Sequence, residues 1–148
     1  MIEVGDKSLM HHQLTALKNN GITDIVVGVG YRKDDVAAHS QKIDGMRFTF
    51  VDNPDYATTN TSYTLWMCRE EMDDDFLYLN ADVLFHESLI TRLLEAPEDN
   101  VLALDNKRCG AEEVKAILKN DTILHIGKSW IRASVTVSLS ASESSTSP

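Results

Sequence analysis

The chain has 148 residues, of which 43% are hydrophobic and 25% are charged, and its formal net charge at pH 7 is −9. This composition is typical of one globular domain, and the acidic balance argues against binding to nucleic acid or to an anionic membrane. The sequence contains no run of 18 apolar residues and no signal peptide at its start. Cys68 and Cys109 match no metal or disulfide pattern, so a cytoplasmic protein with reduced thiols is predicted.

The hydrophobic pattern alternates between the period of a helix and that of a strand along most of the chain. Helices are predicted over residues 8–20, 33–41, 60–72 and 86–95. Strands are predicted over residues 24–30, 46–51, 76–79 and 101–104, followed by a hairpin of 113–118 with 122–126. This order predicts an α/β fold, a Rossmann-like and mainly parallel sheet flanked by helices. The β-branched run 24–30 is typical of a strand that is buried on both faces.

The end of that run, Gly28-Val29-Gly30, superficially resembles a phosphate-binding loop. The third glycine of a dinucleotide fingerprint would fall at Lys33, so the fingerprint fails. Glycines at the end of a strand more often permit a tight turn or close packing of another segment. A tight turn or close packing is therefore the favoured interpretation of Gly28 and Gly30.

The apolar run from Phe76 to Phe85 is interrupted near its end by one carboxylate, Asp82. A charged group at the end of a buried strand costs solvation energy unless a cation or hydrogen bonds compensate it. The carboxyl ends of strands are also where ligands bind in open α/β sheets. The pattern therefore leaves two readings open: Asp82 binds a ligand, or it caps the following turn or helix.

The last twenty residues differ in composition from the rest, because about half of residues 129–148 are Ser or Thr. Segments of such low complexity are usually disordered. We therefore predict two parts, a domain over residues 1–128 and a Ser/Thr-rich tail over residues 129–148.

Several motifs together resemble the nucleotidyltransferases of the MobA-like and sugar-phosphate type. They are Ile2-Glu-Val-Gly-Asp-Lys-Ser-Leu9, Asn53-Pro-Asp-Tyr-Ala-Thr-Thr-Asn-Thr-Ser-Tyr-Thr-Leu-Trp66, Asn80-Ala81-Asp82, Glu112-Glu113-Val114-Lys115 and Ile126-Gly127-Lys128. The second motif is similar to a segment of the choline-phosphate cytidylyltransferase branch. The resemblance covers about residues 2–128 and implies a fold of the nucleotide-diphospho-sugar transferase type.

The resemblance implies that a phosphorylated acceptor attacks the α-phosphorus of a nucleoside triphosphate, with CTP favoured, and that diphosphate leaves. It implies Mg²⁺ as the cofactor and Asp82 as a catalytic carboxylate that binds this metal. It places Asn60, Thr61 and Ser62 at the base of the nucleotide, a role that is compatible with helix capping by Asn60. It places Lys128, and more weakly Lys115, at the acceptor phosphate; an exposed lysine of no special role is the alternative for Lys128.

The sequence also departs from the family pattern. The family's first strand and glycine-rich loop precede the segment that matches Ile2, and its second metal carboxylate follows the segment that matches Lys128; here Glu143 is the acidic residue beyond it. We therefore expect an incomplete domain with little activity. The tail can be back-translated so that the neighbouring reading frame resembles the family, which suggests a frameshift near Lys128; the coding DNA tests this hypothesis.

Two alternatives to a phosphocholine-type cytidylyltransferase remain at this stage. One is a sugar-1-phosphate or inositol-phosphate nucleotidyltransferase, because the sequence contains too little of an acceptor pocket to choose between them. The other is a noncatalytic pseudoenzyme or regulatory domain that binds nucleotide weakly or not at all, which the missing glycine-rich loop favours.

Overall fold

A computed structural model of the chain describes residues 2–105, 114–120 and 122–127, and the backbone of residues 135–140. The helices are α1 (Leu9–Asn19), α2 (Lys33–Ser40), α3 (Thr61–Met67) and α4 (Ser88–Leu94). The strands are β1 (Glu3–Val4), β2 (Lys7–Ser8), β3 (Asp24–Val29), β4 (Arg47–Asp52), β5 (Phe76–Tyr78), β6 (Leu102–Asp105), β7 (Lys115–Lys119), β8 (Thr122–Gly127) and β9 (Val135–Ser140). Among the described helices, none is long and apolar enough to cross a membrane.

The ends of α1 follow from local sequence signals. The Ser8 side chain accepts a hydrogen bond of 3.1 Å from the backbone N–H of His11, which satisfies one of the free donors at the start of the helix. Gly21 adopts a left-handed φ of +81° just after the helix, a conformation that glycine adopts without steric cost. The helix predicted over residues 8–20 is therefore confirmed to within one residue at each end.

The unit β3–α2–β4 forms the parallel part of the described sheet structure. Strand β3 pairs with β4 in a parallel register that runs from Asp24 opposite Arg47 to Val29 opposite Asp52. Parallel neighbours need a crossover connection, which α2 supplies. The backbone N–H of Asn53 then donates to the carbonyl of Val29 at 2.7 Å, which carries the pairing one residue beyond the ladder.

A second group of strands contains residues from the predicted tail. Strand β9 lies between β5 and β6 and runs antiparallel to both, with Tyr78 and Leu102 each opposite Ser138. The backbone of residues 135–140 is thus a strand within the segment for which disorder was expected. The other tail residues lie outside the described part of the chain, and the division at residue 128 stays a prediction.

The predicted hairpin is present as the antiparallel pair of β7 and β8, with Lys115 opposite Gly127 and Lys119 opposite Thr122. Asn120 in the turn has a left-handed φ of +50°, which Asn tolerates better than most residues. The register shifts between Ile117 and Leu118, where an irregularity interrupts the pairing.

The apolar core of the described residues lies where α1 and α4 meet. It is formed by Leu14 and Leu17 of α1, Ile43, and Ile90 of α4, which has no exposed surface. Half-buried side chains of β3, β4 and β5 pack against this cluster.

The prediction that β3 is buried on both faces is wrong for the described chain. Asp24, Val26 and Gly28 are exposed, and Val26 retains 37% of its accessible surface. The physical reason is that these three alternate residues lie on one face of the strand, and this face borders an open cleft. Strand β3 thus contains more apolar side-chain surface than its observed packing buries.

Candidate functional site

Asp82 lies in a turn that follows β5, and its side chain is exposed. Helix α4 begins six residues later at Ser88, with Glu87 at the N-cap position, so Asp82 does not cap that helix. Among the described residues, no ion pair or side-chain hydrogen bond is formed by the Asp82 carboxylate. Its oxygens therefore face solvent, where a cation can reach them.

A side chain from α1 holds this turn in place. The Gln13 amide donates two hydrogen bonds, one of 2.9 Å to the carbonyl of Asn80 and one of 2.7 Å to that of Val83. Gln13 is only 7% exposed, although it lies beside the apolar residues Leu14 and Leu17 on the buried face of the helix. A glutamine on the buried face of an amphipathic helix is the sequence signal that could have singled out this residue, which our sequence analysis missed.

Replacing Gln13 by Met keeps the length of the side chain but removes both donated hydrogen bonds, leaving two turn carbonyls without this donor. We expect a loss of about 1–3 kcal/mol in the free energy of unfolding, measured by urea denaturation. We also expect faster amide exchange in residues 80–83. The control is Asn19→Met on the same helix, which removes a bond of 2.7 Å to Glu87; because both groups are exposed to water, its effect should stay within about 0.5 kcal/mol. Equal effects of the two substitutions would contradict the role of Gln13.

Tyr78, the last residue of β5, lies on the other side of the same turn. Its hydroxyl donates to the side-chain oxygen of Asn80 at 2.7 Å. Burial raises the pKa of the Tyr78 phenol, and the negative charge of Asp82 raises it further. The phenol is therefore neutral at physiological pH and acts as a hydrogen-bond donor that orders the residues before Asp82.

The loop between β4 and α3 is organised around Asn53, which is 1% exposed. The Asn53 amide donates to the hydroxyl oxygens of Thr59 and Thr64, both at 2.9 Å, and its carbonyl oxygen accepts from the backbone N–H of Asp55 at 3.0 Å. These bonds satisfy three of the hydrogen-bonding positions of the buried amide. The buried Asn53 side chain therefore stabilises the loop that connects β4 to α3.

The three residues predicted to contact a nucleotide base, Asn60, Thr61 and Ser62, are exposed at the start of α3. The Asn60 side-chain oxygen accepts from the backbone N–H of Tyr63 at 3.0 Å, so Asn60 is the N-cap of this helix. The predicted capping role is confirmed, whereas contact with a base stays a prediction. The helix is shorter than predicted, because a 3₁₀ turn over Cys68–Glu71 replaces its last residues.

A cleft of about 980 Å³ connects these elements, and we call it the central cleft. It is lined by residues 24–28 of β3, residues 71–81 before, in and after β5, and side chains of α1 and α3. Thr61 and Asn80 both line it, and Asp82 follows two residues after Asn80. The structure thus brings the start of α3 and the turn after β5 to one cavity.

Of the two lysines predicted to contact the acceptor phosphate, only Lys115 lies in the described part of the chain. Lys115 is the first residue of β7 and is 7% exposed. Lys128 lies outside the described residues. Neither predicted role is tested by the described part of the structure.

The described residues contain no group of three or more His, Cys, Asp or Glu side chains arranged to hold a metal ion. A cage made of protein ligands alone is thus not found in this part of the chain. Mg²⁺ does not require such a cage, because it is commonly bound through one or two carboxylates together with substrate phosphates and water. The exposed carboxylate of Asp82 fits that second mode.

Comparison with solved structures identifies the class of fold. The inositol-1-phosphate CTP transferase from T. maritima superposes with a TM-score of 0.79 at 16% identity, over 95% of this chain and 60% of that chain. Solved neighbours of this kind are nucleotidyltransferases with a Rossmann-like fold. The predicted α/β fold class is therefore confirmed.

Proteins of known function that are similar in sequence are also nucleotidyltransferases. The chain is 34% identical over 82 residues to the choline-phosphate cytidylyltransferase of Streptococcus pneumoniae, matching 55% of this chain and 34% of the relative. It is 32% identical over 101 residues to the CMP-5'-(3-aminopropyl)phosphonate synthase of Streptomyces rubellomurinus, matching 68% of this chain and 16% of the relative. No protein-family profile matches the chain. The chain thus spans about a third or less of these two relatives, and its predicted resemblance to nucleotidyltransferases is confirmed.

Proposed function

We propose that this chain is part of a cytoplasmic nucleotidyltransferase that moves a nucleoside monophosphate onto a small phosphorylated acceptor and releases diphosphate. CMP from CTP is the favoured donor group, and phosphocholine is the favoured acceptor. The observation that carries the proposal is the exposed Asp82 turn at the end of β5, in a chain whose curated relatives include cytidylyltransferases. An exposed carboxylate suits the reaction of these relatives, because nucleotidyl transfer depends on positioning the reactants and on neutralising phosphate charge, which a carboxylate-bound cation can do.

Asp82 is proposed to hold Mg²⁺ together with phosphate oxygens of the nucleotide and water. When bound, the ion would neutralise charge on the α-phosphate and its leaving diphosphate. The chain's own contribution is positional: Gln13 fixes the carbonyls of Asn80 and Val83 on both sides of Asp82, and Tyr78 orders the same turn. A turn whose backbone is restrained in this way loses less conformational entropy when its carboxylate binds a metal.

Asn60, Thr61 and Ser62 are proposed to contact the nucleotide base. Support comes from their exposure at the start of α3 and from the position of Thr61 in the lining of the central cleft. The Asn60 oxygen is used by the cap, so its amide N–H groups are the atoms that we propose for the base. Lys128 and Lys115 are proposed at the acceptor phosphate on the strength of the sequence motif.

Binding and turnover of CTP test the proposal directly. We expect the chain to bind Mg²⁺–CTP in isothermal titration, and we expect Asp82→Asn to weaken this binding at least about tenfold, since loss of an outer-shell partner alone has that effect on metal sites. Diphosphate release is measured in parallel with CTP, Mg²⁺ and phosphocholine. Any turnover should fall by a similar or larger factor in Asp82→Asn.

The matched control is Asp44→Asn, which removes the same charge from an exposed position between α2 and β4. Equal affinities of the Asp82 and Asp44 variants for Mg²⁺–CTP would contradict the role of Asp82. Absence of Mg²⁺–CTP binding by the unmodified chain would contradict nucleotide binding by this part of the protein and favour a noncatalytic domain. Turnover with inositol-1-phosphate or a sugar 1-phosphate in place of phosphocholine would preserve the reaction class and correct the acceptor.

A further inference from the structure

Helix α1 ends in the dipeptide Asn20-Gly21, which occurs once as an Asn-Gly pair in the sequence. An asparagine before a glycine can react with its own backbone, because glycine has no Cβ to hinder the approach. The Gly21 nitrogen attacks the Cγ of Asn20 and loses its proton to water, and the bond from Cγ to Nδ2 breaks to release ammonia. Water then opens the cyclic imide at either carbonyl, which leaves an aspartyl or an isoaspartyl residue.

Hydrogen bonds in the folded chain hold the reacting groups apart. The Gly21 N–H donates to the carbonyl of Lys18 at 3.0 Å, so the attacking nitrogen is engaged at the end of the helix. The Asn20 side chain is half-buried, and its amide donates to the carbonyl of Ala16 at 2.8 Å. Its oxygen accepts from the hydroxyl of Thr91 at 2.6 Å. The Cγ of Asn20 therefore cannot turn toward the Gly21 nitrogen until these bonds break.

One of these bonds joins two helices. The partners of the Gly21 N–H and of the Asn20 amide at 2.8 Å both lie in α1, whereas Thr91 belongs to α4. The Asn20 amide also donates to the carbonyl of Glu87, the residue just before α4, at 3.4 Å. Packing of α4 against the end of α1 thus restrains the side chain at its oxygen as well as at its nitrogen.

We propose that Asn20 is a deamidation site of this chain and that α4 keeps it closed through the Thr91 hydroxyl. Opening of the contact between α1 and α4 frees the Asn20 side chain to react with the Gly21 nitrogen. The site is independent of the proposed nucleotidyl transfer, since neither Asn20 nor Thr91 is assigned to the metal, the nucleotide or the acceptor.

Deamidation weakens the helix contact that prevents it. A carboxylate at position 20 can only accept, so it faces the carbonyls of Ala16 and Glu87 without a donor, at the negative end of the α1 dipole. The isoaspartyl product also lengthens the backbone at the bond of 3.0 Å from the Ile22 N–H to the carbonyl of Leu17. Asn20→Asp should therefore unfold at a lower urea concentration than the unmodified chain, and an unchanged midpoint would overturn this consequence.

Peptide mapping by mass spectrometry measures deamidation at Asn20 in protein incubated for days at mildly alkaline pH. Thr91→Val keeps the shape of the side chain but lacks the hydroxyl, and we expect it to raise the rate about two- to tenfold, the range for loss of one hydrogen bond. The matched control is Thr15→Val, which removes a bond of 2.7 Å to the carbonyl of His11 within α1. It should leave the rate at Asn20 unchanged.

A second comparison leaves the contact between α1 and α4 intact. Asp44→Asn forms an Asn-Gly pair with Gly45 in an exposed loop, where the side chain of residue 44 has no hydrogen bond among the described residues. Position 44 of this variant should lose ammonia at least about tenfold faster than Asn20 in the same sample. Equal rates at the two positions would overturn the protection of Asn20. No acceleration by Thr91→Val, or equal acceleration by Thr15→Val, would overturn the role of Thr91.

Discussion

Replacing Asn53 by Asp is expected to lower the free energy of unfolding by about 2–4 kcal/mol at pH 8. The substitution removes both hydrogen bonds that the amide donates to Thr59 and Thr64. It also places a negative charge at a position that is 1% exposed. Since burial raises the pKa of the introduced carboxyl group, the loss should be smaller at pH 5, where more of that group is protonated. Urea denaturation at the two pH values measures both effects.

Asn60→Asp is the matched control for that experiment. It makes the same chemical change at an exposed N-cap, where an Asp oxygen can still accept from the backbone N–H of Tyr63. Its effect on stability should stay within about 0.5 kcal/mol. If both substitutions have the same effect, the network around Asn53 does not hold the loop.

Gly30→Ala is expected to destabilise the protein by about 1–3 kcal/mol, because the added methyl group overpacks a close contact. A Cβ at this position would lie 2.6 Å from the Cβ of Tyr56 and 2.7 Å from its Cγ. The Cβ of Tyr56 is tied to the backbone of the loop after β4, so rotation of the ring does not relieve the contact. Thermal or urea unfolding of the variant measures the cost.

Two further variants separate this clash from other effects of an added methyl group. Gly5→Ala meets nothing within 4 Å and has a φ of +68°, so its cost is that of a left-handed backbone alone, about 1–2 kcal/mol. In a Tyr56→Gly background, Gly30→Ala should become nearly neutral, since the opposing Cβ is gone. A full additive cost in the double variant would contradict the contact between Gly30 and Tyr56.

Asn53 and Gly30 both stabilise the loop between β4 and α3. Asn53 holds it from within, and Gly30 allows Tyr56 to pack directly on the end of β3. Gly28 does the same for α3, because a Cβ there would lie 2.5 Å from the Cγ2 of Thr64. Close packing of another segment, one of the two roles predicted for the glycines of the Gly28-Val29-Gly30 motif, is therefore confirmed. The start of α3, with its candidate nucleotide contacts, is positioned by these packings.

The sequence by itself determined the features that depend on neighbours only a few residues apart. The helix starts at Ser8 and Asn60 were predictable because an N-cap bonds to the N–H three residues ahead. The order of the four helices and of strands β3 to β8 followed from hydrophobic periods within short windows. Asp82 stood out because it interrupts an apolar run, and the motif from Asn53 to Trp66 pointed to the nucleotidyltransferases that the comparisons then found.

Only the tertiary structure decided which residues support the candidate site and which strand faces stay exposed. Gln13 reaches the Asp82 turn across 67 and 70 positions of sequence, and no local pattern encodes partners so far apart. The exposure of Val26 depends on what covers its face of β3, and the composition of β3 alone predicted this burial wrongly. The pairing of β9 with β5 and β6 was likewise not predictable, because β9 belongs to a Ser/Thr-rich segment for which disorder was expected. In each case burial and pairing depend on the rest of the fold, because a side chain or backbone edge is covered only by what the chain brings against it.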